Sequence, residues 1–497
     1  TYTQSQINNY FNSPTITADT ISVSKYYYKQ SYGDLNLVFD VYNWTTMPQT
    51  FSYYSANATS EWQLVIDAVN TFNPSVNFAQ YDNDNDGRID GVVLIYPDIG
   101  RNNTQGIWPH TRILRQYNSN PVDGKYLGNV AIIPEKGTRG SNSFEISVTT
   151  HEFAHILGLP DLYANNSTGQ VNDGPVRDMS MMIFNESSCL YKPINLDVWS
   201  RYFFGWIEPE ILTTDSPKEI SLRSVNDYPD AVILKNSNMG TREFFIIENR
   251  YRNSTDISNL DKCMFNGGSL TASGFAIYHV DENKIEAHYP NNWVNWDPDG
   301  NYYNDTTWPG ISYEKNYVIS LSTFTIQAAD LYYYQSALPG VWEYFDENFH
   351  LRSEYTTWDT TTKTYTGNPN PLIRFKAISP INSYTMTAKM LVGEETTIPI
   401  ATLNSGTYPQ GTQVSLSTTT TGAIIYYTLD GTTPTTSSLI YTGPITLSIG
   451  NTTLKAIAKK SNFYVSDVLE RTYTIENQTV ATPTSSQPSG VVAYNSQ

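Results

Sequence analysis

Cysteine and basic residues are both scarce in this sequence of 497 residues. Its two cysteines, Cys189 and Cys263, are too few for a small fold held together by disulfide bonds. Lysine and arginine together number 30 against 48 acidic residues, which leaves a net charge of -18. Because no basic stripe is present to neutralise phosphate groups, this composition argues against nucleic acid as a partner. It is consistent with solubility and with calcium binding.

Long apolar runs are also missing from the sequence. No segment is long and apolar enough to span a membrane, and the polar, uncharged start TYTQSQINNY shows no signal peptide. Such a start is consistent with a mature chain whose leader has been removed. With 38 tyrosines and abundant Asn and Thr, the composition is typical of extracellular β-rich proteins. We therefore expect a secreted, monomeric protein.

The most informative pattern is HEFAHILGLPD at residues 151–161. His151 and His155 are four residues apart, so on a helix they share one face with their Cβ atoms about 5–6 Å apart. This spacing allows both imidazoles to bind one zinc ion. Glu152 lies beside the first histidine, where it can accept a proton from a zinc-bound water. The pattern therefore predicts a catalytic zinc site on a helix.

A third zinc ligand is available just beyond this helix. Gly158 can adopt a left-handed conformation, end the helix and turn the chain back. Asp161 can then reach the metal with its carboxylate. The alternative is a chance occurrence of the His-Glu-x-x-His pattern on a buried helix. The Gly and Asp at matching offsets make that alternative the weaker one.

A second cation site is predicted at DNDNDGRID, residues 82–90. Oxygen-bearing side chains at positions 1, 3 and 5 and glycine at position 6 follow the EF-hand calcium loop. The candidate ligands are Asp82, Asp84, Asp86, the carbonyl of Arg88 and Asp90. Val93 replaces the usual glutamate at position 12, and a strand is predicted next, so we expect a structural calcium loop without the standard helices. The alternative is a solvated turn rich in Asx residues.

Residue patterns divide the chain, whose length predicts about two to four domains. Helical patterns at 22–33, 60–72 and 144–157 alternate with strand patterns at 35–42 and 91–96. They predict an α/β domain over residues 1–210. Short alternating segments predict a β-sandwich over 211–392, although 283–370 has no clear assignment. A third unit spans 393–476, and the Thr/Ser/Pro-rich residues 477–497 predict a flexible tail.

The zinc motif and its surroundings resemble the immune inhibitor A-type metallopeptidases. The similar segments are HEFAHILGLPDLY at 151–163, RDMSMM at 177–182, FGWIEPE at 204–210, and further stretches at 22–37, 81–96, 244–250 and 273–284. The resemblance implies a secreted, metzincin-like zinc enzyme with an α/β (α+β) catalytic domain and bound calcium. Metzincins place a methionine in a tight turn beneath the metal, a role that falls to Met179. Alone, Met179 would be interpreted as core filler.

Two features depart from the pattern that this resemblance implies. The third metzincin ligand is usually histidine, whereas Asp161 stands here. The resemblance favours the aspartate, with Glu186 or Tyr191 as alternative ligands. Family members also usually carry an apolar β-strand before the region that matches residues 1–12, and this sequence has none. We therefore expect a processed or trimmed form of the chain.

The C-terminal region resembles a second family. The segments IIYYTLDGTTPT, YTGPI and LKAIA within residues 398–475 are similar to the chitobiase and β-hexosaminidase C-terminal module. Asp430-Gly431 favours a hairpin. The resemblance implies a small immunoglobulin- or fibronectin-like β-sandwich. We expect a spacer, with contact to glycans or a cell surface as the alternative.

Taken together, these patterns favour a secreted zinc endopeptidase that acts on protein or glycoprotein substrates. His151, His155 and Asp161 would hold zinc, and Glu152 would act as general base. The alternatives are a protease directed at glycoproteins such as mucins and a non-catalytic scaffold that binds glycans. The intact Glu152 argues against the scaffold. Cleavage specificity and the pairing of the two cysteines stay open.

Overall fold

A computed structural model gives the fold of the chain. It describes residues 1–99, 106–112, 121–137, 143–162, 164–165, 171–172, 180–182, 193–213, 218–235, 242–251, 253, 255–263, 274–282, 285, 311–313, 350–351, 358–359, 364–365, 373–377, 384–392, 395–461 and 463–477. The chain divides into two compact units, residues 1–392 and 393–497. The further boundary at residue 210 stays a prediction. No helix among the described residues is long and apolar enough to cross a membrane.

The N-terminal part of the first unit mixes helices and strands, as expected. Its helices are α1 (Gln4–Asn12), α2 (Val23–Gln30), α3 (Phe51–Tyr54), α4 (Ala58–Phe72), α5 (Ile146–Leu157) and α6 (Val198–Phe203), with a 3-10 turn at Phe78–Tyr81. Its strands are β1 (Arg88–Ile99), β2 (His110–Arg112), β3 (Tyr126–Lys136), β4 (Ala164–Asn165) and β5 (Val171–Asn172). Helix α4 begins at Ala58, two residues before the helical pattern predicted at 60–72, because the side chain of Asn57 caps it.

A three-stranded sheet forms the centre of this region, in the order β1-β3-β2. Strand β3 pairs in parallel with β1 and antiparallel with β2. Its side chains alternate between two hydrophobic cores. Val130 and Ile132 pack in the same core as Leu64 of α4. Ala131 and Ile133 pack in the same core as Phe153 of α5 and the helices before it. The sheet therefore supports α5, which carries the zinc motif, on one face.

The strand predicted at residues 35–42 does not form. These residues alternate between half-buried Leu37 and Phe39 and exposed Val38 and Asp40, but they belong to no sheet. An apolar cavity of about 550 Å³ lies between this segment and β1, and both contribute consecutive residues to its lining. The prediction was wrong because alternating burial of side chains is not enough to form a strand. The backbone also needs a partner strand to hydrogen-bond with, and here β1 lies across the cavity.

Beyond residue 209, the described residues of the first unit lie mainly in strands. They are β6 (Glu210–Leu212), β7 (Lys218–Arg223), β8 (Val232–Leu234), β9 (Glu243–Arg250), β10 (Gly274–Asp281), β11 (Ile311–Tyr313), β12 (His350–Leu351), β13 (Trp358–Asp359), β14 (Thr364–Tyr365), β15 (Ile373–Ala377) and β16 (Thr385–Val392), with a 3-10 turn at Leu260–Cys263. A five-stranded sheet has the order β11-β10-β9-β8-β6, and a four-stranded sheet has the order β12-β15-β16-β7. Phe245 and Phe275 of the first sheet share a core with Leu222 and Met386 of the second. The sandwich topology itself stays a prediction.

The second unit is rich in strands. They are β17 (Ile400–Ala401), β18 (Gly406–Pro409), β19 (Gln413–Val414), β20 (Leu416–Ser417), β21 (Ile424–Thr428), β22 (Leu439–Ile440), β23 (Ile445–Thr446), β24 (Gly450–Lys459) and β25 (Leu469–Glu476). Five of them form a sheet in the order β18-β25-β24-β21-β22. Its core includes Val414, Leu454 and Tyr473. The expected multidomain chain with a β-rich C-terminal region is therefore confirmed.

Candidate metal centre

Helix α5 is held by packing rather than by capping. Its N-cap residue, Glu145, makes no side-chain capping hydrogen bond, whereas Ile146, Phe153 and Ala154 are buried. Gly158 ends the helix with a φ of 107°, in the left-handed region that favours glycine. This turn brings the chain back toward the helix, as the sequence predicts.

The turn brings together one side-chain atom from each of the three predicted zinc ligands. Nε2 of His151 lies 3.2 Å from Nε2 of His155. Oδ1 of Asp161 lies 3.1 Å from the first of these atoms and 3.2 Å from the second. Three donors bound to one zinc at about 2 Å in tetrahedral geometry lie a little over 3 Å apart. The arrangement therefore fits a zinc ion.

The other ring nitrogen of each histidine is fixed by a backbone carbonyl. Nδ1 of His151 lies 3.0 Å from the carbonyl oxygen of Met181, and Nδ1 of His155 lies 2.7 Å from that of Leu159. Because a carbonyl can only accept, each Nδ1 carries the proton. In the neutral ring Nε2 is then an acceptor that faces the site, as a metal-binding imidazole requires.

The histidines and Asp161 of this cluster shift one another's pKa values. Burial lowers the pKa of His155, but the charge and hydrogen bond of Asp161 outweigh it and raise the pKa to about 9. Burial raises the pKa of Asp161, but the two histidines outweigh it and hold that pKa below its usual range. Positive charge thus stabilises the half-buried carboxylate of Asp161, and a metal ion can supply that charge.

Glu152 is buried beside the cluster, with 6% of its surface exposed. The hydroxyl of Thr111 on β2 lies 3.0 Å from Oε2 of Glu152 and 2.7 Å from its backbone oxygen. Sequence analysis did not identify Thr111, because a single threonine far from the motif matches no spacing rule. Met179, Glu186 and Tyr191 lie outside the described residues. The Met-turn and the alternative ligands therefore stay predictions.

The predicted calcium loop assembles in part. Carboxylate oxygens of Asp82, Asp84 and Asp86 lie within 4.8 Å of one another. Gly87 turns the chain with a φ of 88°. Asp90 does not belong to this cluster, since its Oδ2 accepts hydrogen bonds from the backbone and side chain of Asn83. Arg88, the remaining candidate ligand, is the first residue of β1.

Asp82 is the buried member of this loop, with 7% of its surface exposed. Its Oδ2 accepts hydrogen bonds from the ammonium group of Lys125 and from the backbone N–H of Gly87. The Lys125 hydrogen bond is the main cause of a lowered Asp82 pKa. Among the described residues, Oδ1 of Asp82 has no hydrogen-bond partner. A buried carboxylate oxygen without a donor is available to a cation.

Comparison with known proteins gives the class of the chain. Residues 3–189 match the model of the immune inhibitor A peptidase M6 catalytic domain. Residues 403–470 match that of the chitobiase/beta-hexosaminidase C-terminal domain. The first region is thus similar to a peptidase M6 catalytic domain of the immune inhibitor A type, and the second is similar to a chitobiase-type module. Both resemblances found in the sequence are confirmed.

Two curated relatives support the first match. The pre-pro-metalloprotease PrtV of Vibrio cholerae serotype O1 is 26% identical over 42% of this chain and 27% of its own length. Immune inhibitor A of Bacillus thuringiensis subsp. alesti is 27% identical over 32% of this chain and 27% of its own length. This chain therefore aligns with about a quarter of each of these relatives.

Proposed function

We propose that this chain is a secreted, zinc-dependent endopeptidase. The observation that carries the proposal is the convergence of His151, His155 and Asp161 beside Glu152. This cluster lies within the region that matches the peptidase M6 catalytic domain. We assign His151, His155 and Asp161 as the zinc ligands and Glu152 as the general base. Extracellular action is supported by the acidic composition, rich in Tyr, Asn and Thr.

Zinc bound by these ligands would polarise the scissile carbonyl and acidify the attacking water. Glu152 would accept the proton of that water on its carboxylate and deliver it to the nitrogen of the leaving amine. The two histidines and Asp161 would hold their donor atoms in place through the backbone bonds at Nδ1 and the turn at Gly158. We also assign structural calcium to Asp82, Asp84 and Asp86, with Arg88 and Asp90 completing the site directly or through water.

The substitution Glu152→Ala tests the catalytic assignment. We expect the variant to keep one zinc per chain and to lose hydrolysis of a denatured protein by several orders of magnitude. Glu208→Ala changes an exposed glutamate and is the matched control. If wild type and Glu152→Ala cleave the substrate equally, or if neither cleaves it, the proposal fails. The second outcome would favour a non-catalytic scaffold.

A narrower proposal directs the same chemistry at glycoproteins. It is supported by the chitobiase-type module at residues 403–470. One glycoprotein would be digested before and after enzymatic removal of its glycans. Slower cleavage of the deglycosylated form is expected if glycans are recognised. Equal rates would leave a general endopeptidase and a spacer role for the module.

A further inference from the structure

Strand β2 has a different contact on each face. Because side chains alternate along a strand, Thr111 points away from the face of its neighbours His110 and Arg112. On one face, Thr111 meets Glu152 of α5. On the other, His110 and Arg112 both meet Glu61 of α4. The short strand thus links the helix of the proposed metal centre to a helix across the sheet.

The contacts of His110 and Arg112 with Glu61, called the Glu61 clamp below, fix the position of β2. Nε2 of His110 lies 2.8 Å from Oε1 of Glu61, and the guanidinium group of Arg112 donates to the same oxygen. Nδ1 of His110 lies 2.6 Å from the carbonyl oxygen of Trp108 and must donate to it. The other ring nitrogen, Nε2, therefore faces Glu61 at an ion-pair distance. The close contact of His110 and the charge-assisted hydrogen bonds of Arg112 hold the residues on either side of Thr111.

The hydroxyl of Thr111 has two acceptors on one residue. It lies 2.7 Å from the backbone oxygen of Glu152 and 3.0 Å from Oε2 of the same residue. Its single proton can serve one of them at a time. An ionised carboxylate is the stronger acceptor, and the backbone oxygen already lies within the helical hydrogen-bond pattern.

We propose that Thr111 is a positioning residue for Glu152, held in place by the Glu61 clamp on β2. Thr111 donates to Oε2 of Glu152 and restrains the carboxylate. This inference rests on the proposed function of Glu152 as general base.

The first experiment compares Thr111→Val, which removes the hydroxyl at nearly constant shape, with Thr111→Ser, which keeps it. A hydrogen bond to a charged group predicts that Thr111→Val lowers kcat about 10- to 100-fold. KM and zinc content are expected to stay near wild type, and Thr111→Ser is expected to recover most of kcat. Thr149→Val is the matched control, because the Thr149 hydroxyl donates to the carbonyl oxygen of Glu145 on the same helix. Wild-type kcat in Thr111→Val would overturn the inference.

The second experiment does not use activity. A double-mutant cycle joins Thr111→Val with Glu152→Ala and follows unfolding by urea. A bond to the carboxylate predicts that the effect of Thr111→Val on the unfolding equilibrium differs about threefold or more between the two backgrounds. Equal effects would mean that the hydroxyl serves only the backbone oxygen, and the inference would fail. An inactive wild type with a non-additive cycle would instead overturn the proposed function alone.

Discussion

Gly91 of β1 lies directly beneath Ile156 of α5. A Cβ atom at position 91 would lie 2.6 Å from Cγ2 of Ile156, closer than two carbon atoms can approach. Ile156 follows His155 in the chain, and its backbone oxygen accepts a hydrogen bond from Asn129 of β3. Glycine inside a strand is unfavourable unless another element approaches closely. Here the close approach sets the height of the zinc-motif helix above the sheet.

The substitution Gly91→Ala is therefore expected to destabilise the catalytic domain. The branched side chain of Ile156 is stiff at χ1, so the helix has to move instead. Such overpacking costs about 1–3 kcal/mol in unfolding free energy. Because the moving segment adjoins His155, zinc affinity is expected to fall as well. Urea unfolding and competition with a zinc chelator measure the two effects.

A matched control for this substitution is Gly443→Ala in the C-terminal unit. No heavy atom lies within 4 Å of the Cβ position at Gly443. We expect the control to keep the wild-type unfolding midpoint and zinc affinity. If Gly91→Ala also keeps the wild-type unfolding midpoint and zinc affinity, β1 tolerates a side chain beneath α5. The close contact of Gly91 with Ile156 would then have no energetic consequence.

The third ligand is tested by Asp161→Ala. The two histidines alone hold zinc poorly, so zinc content and hydrolysis are expected to fall together. The change also leaves His155 without the carboxylate that raises its pKa. Metal analysis after dialysis and a protease assay on the same samples give the two readouts.

Asp19→Ala, which changes an exposed aspartate, is the control for the loss of one negative charge. It is expected to bind zinc as wild type does. One zinc per chain and full activity in Asp161→Ala would make Asp161 a residue that only orients the histidines. The ligand would then have to be sought at Glu186 or Tyr191.

Calcium is expected to stabilise the loop at Asp82, Asp84 and Asp86. A cation that binds only the folded state adds about 2.7 kcal/mol at a hundredfold excess over its Kd. A calcium-selective chelator should therefore lower the Tm of wild type, and Asp84→Ala should remove that dependence. An identical Tm with and without calcium would leave the loop as an ordinary turn.

Lys125 offers an independent test of the same loop. Its ammonium group neutralises Asp82 in the structure and so replaces part of the positive charge that a cation would supply. Lys125→Met should make the Tm more dependent on calcium than it is in wild type. A smaller dependence would mean that Lys125 is needed for the site to form.

The features that the sequence could predict are those that depend on nearby residues. The zinc helix, the turn at Gly158 and the approach of Asp161 all lie within 16 residues of one another and follow from helix periodicity and glycine conformation. Thr111 could not be found in this way, since it reaches Glu152 only through the pairing of β2 with β3. The strand prediction at 35–42 was wrong for the same reason. Whether a segment joins a sheet depends on a partner strand that is distant in sequence.

A buried ionic network likewise escapes sequence patterns. Nη2 of Arg250 lies 2.6 Å from Oδ1 of Asp261, and Nη1 lies 3.3 Å from Oε1 of Glu248. Oε2 of Glu248 accepts a hydrogen bond from Arg201. All four side chains are fully buried. Removal of one partner from such a network costs about 3–5 kcal/mol. Arg250→Met is expected to lower the unfolding free energy by about that amount in urea titrations.

The double variant Arg250→Met with Asp261→Leu provides the control for this prediction. Replacing both charges by apolar groups removes the uncompensated carboxylate, so part of the lost stability should return. Asp261→Leu alone lowers the unfolding free energy of wild type by some amount. If it lowers that of Arg250→Met by the same amount, the two side chains act independently.

The last prediction concerns pH and the clamp formed by His110 and Glu61. Burial lowers the pKa of His110, but the adjacent carboxylate of Glu61 outweighs it and raises the pKa above its usual value. A group whose pKa is raised by folding stabilises the folded state fully below its unfolded pKa of about 6.5. That contribution disappears as the pH rises through the raised value. We therefore expect the stability difference between the zinc-loaded wild type and His110→Gln to shrink from pH 6 to pH 9 in urea titrations. Glu61→Gln should remove the same pH dependence, because the His110 pKa then loses its main support. A constant difference across this range would mean that His110 carries no charge in the fold.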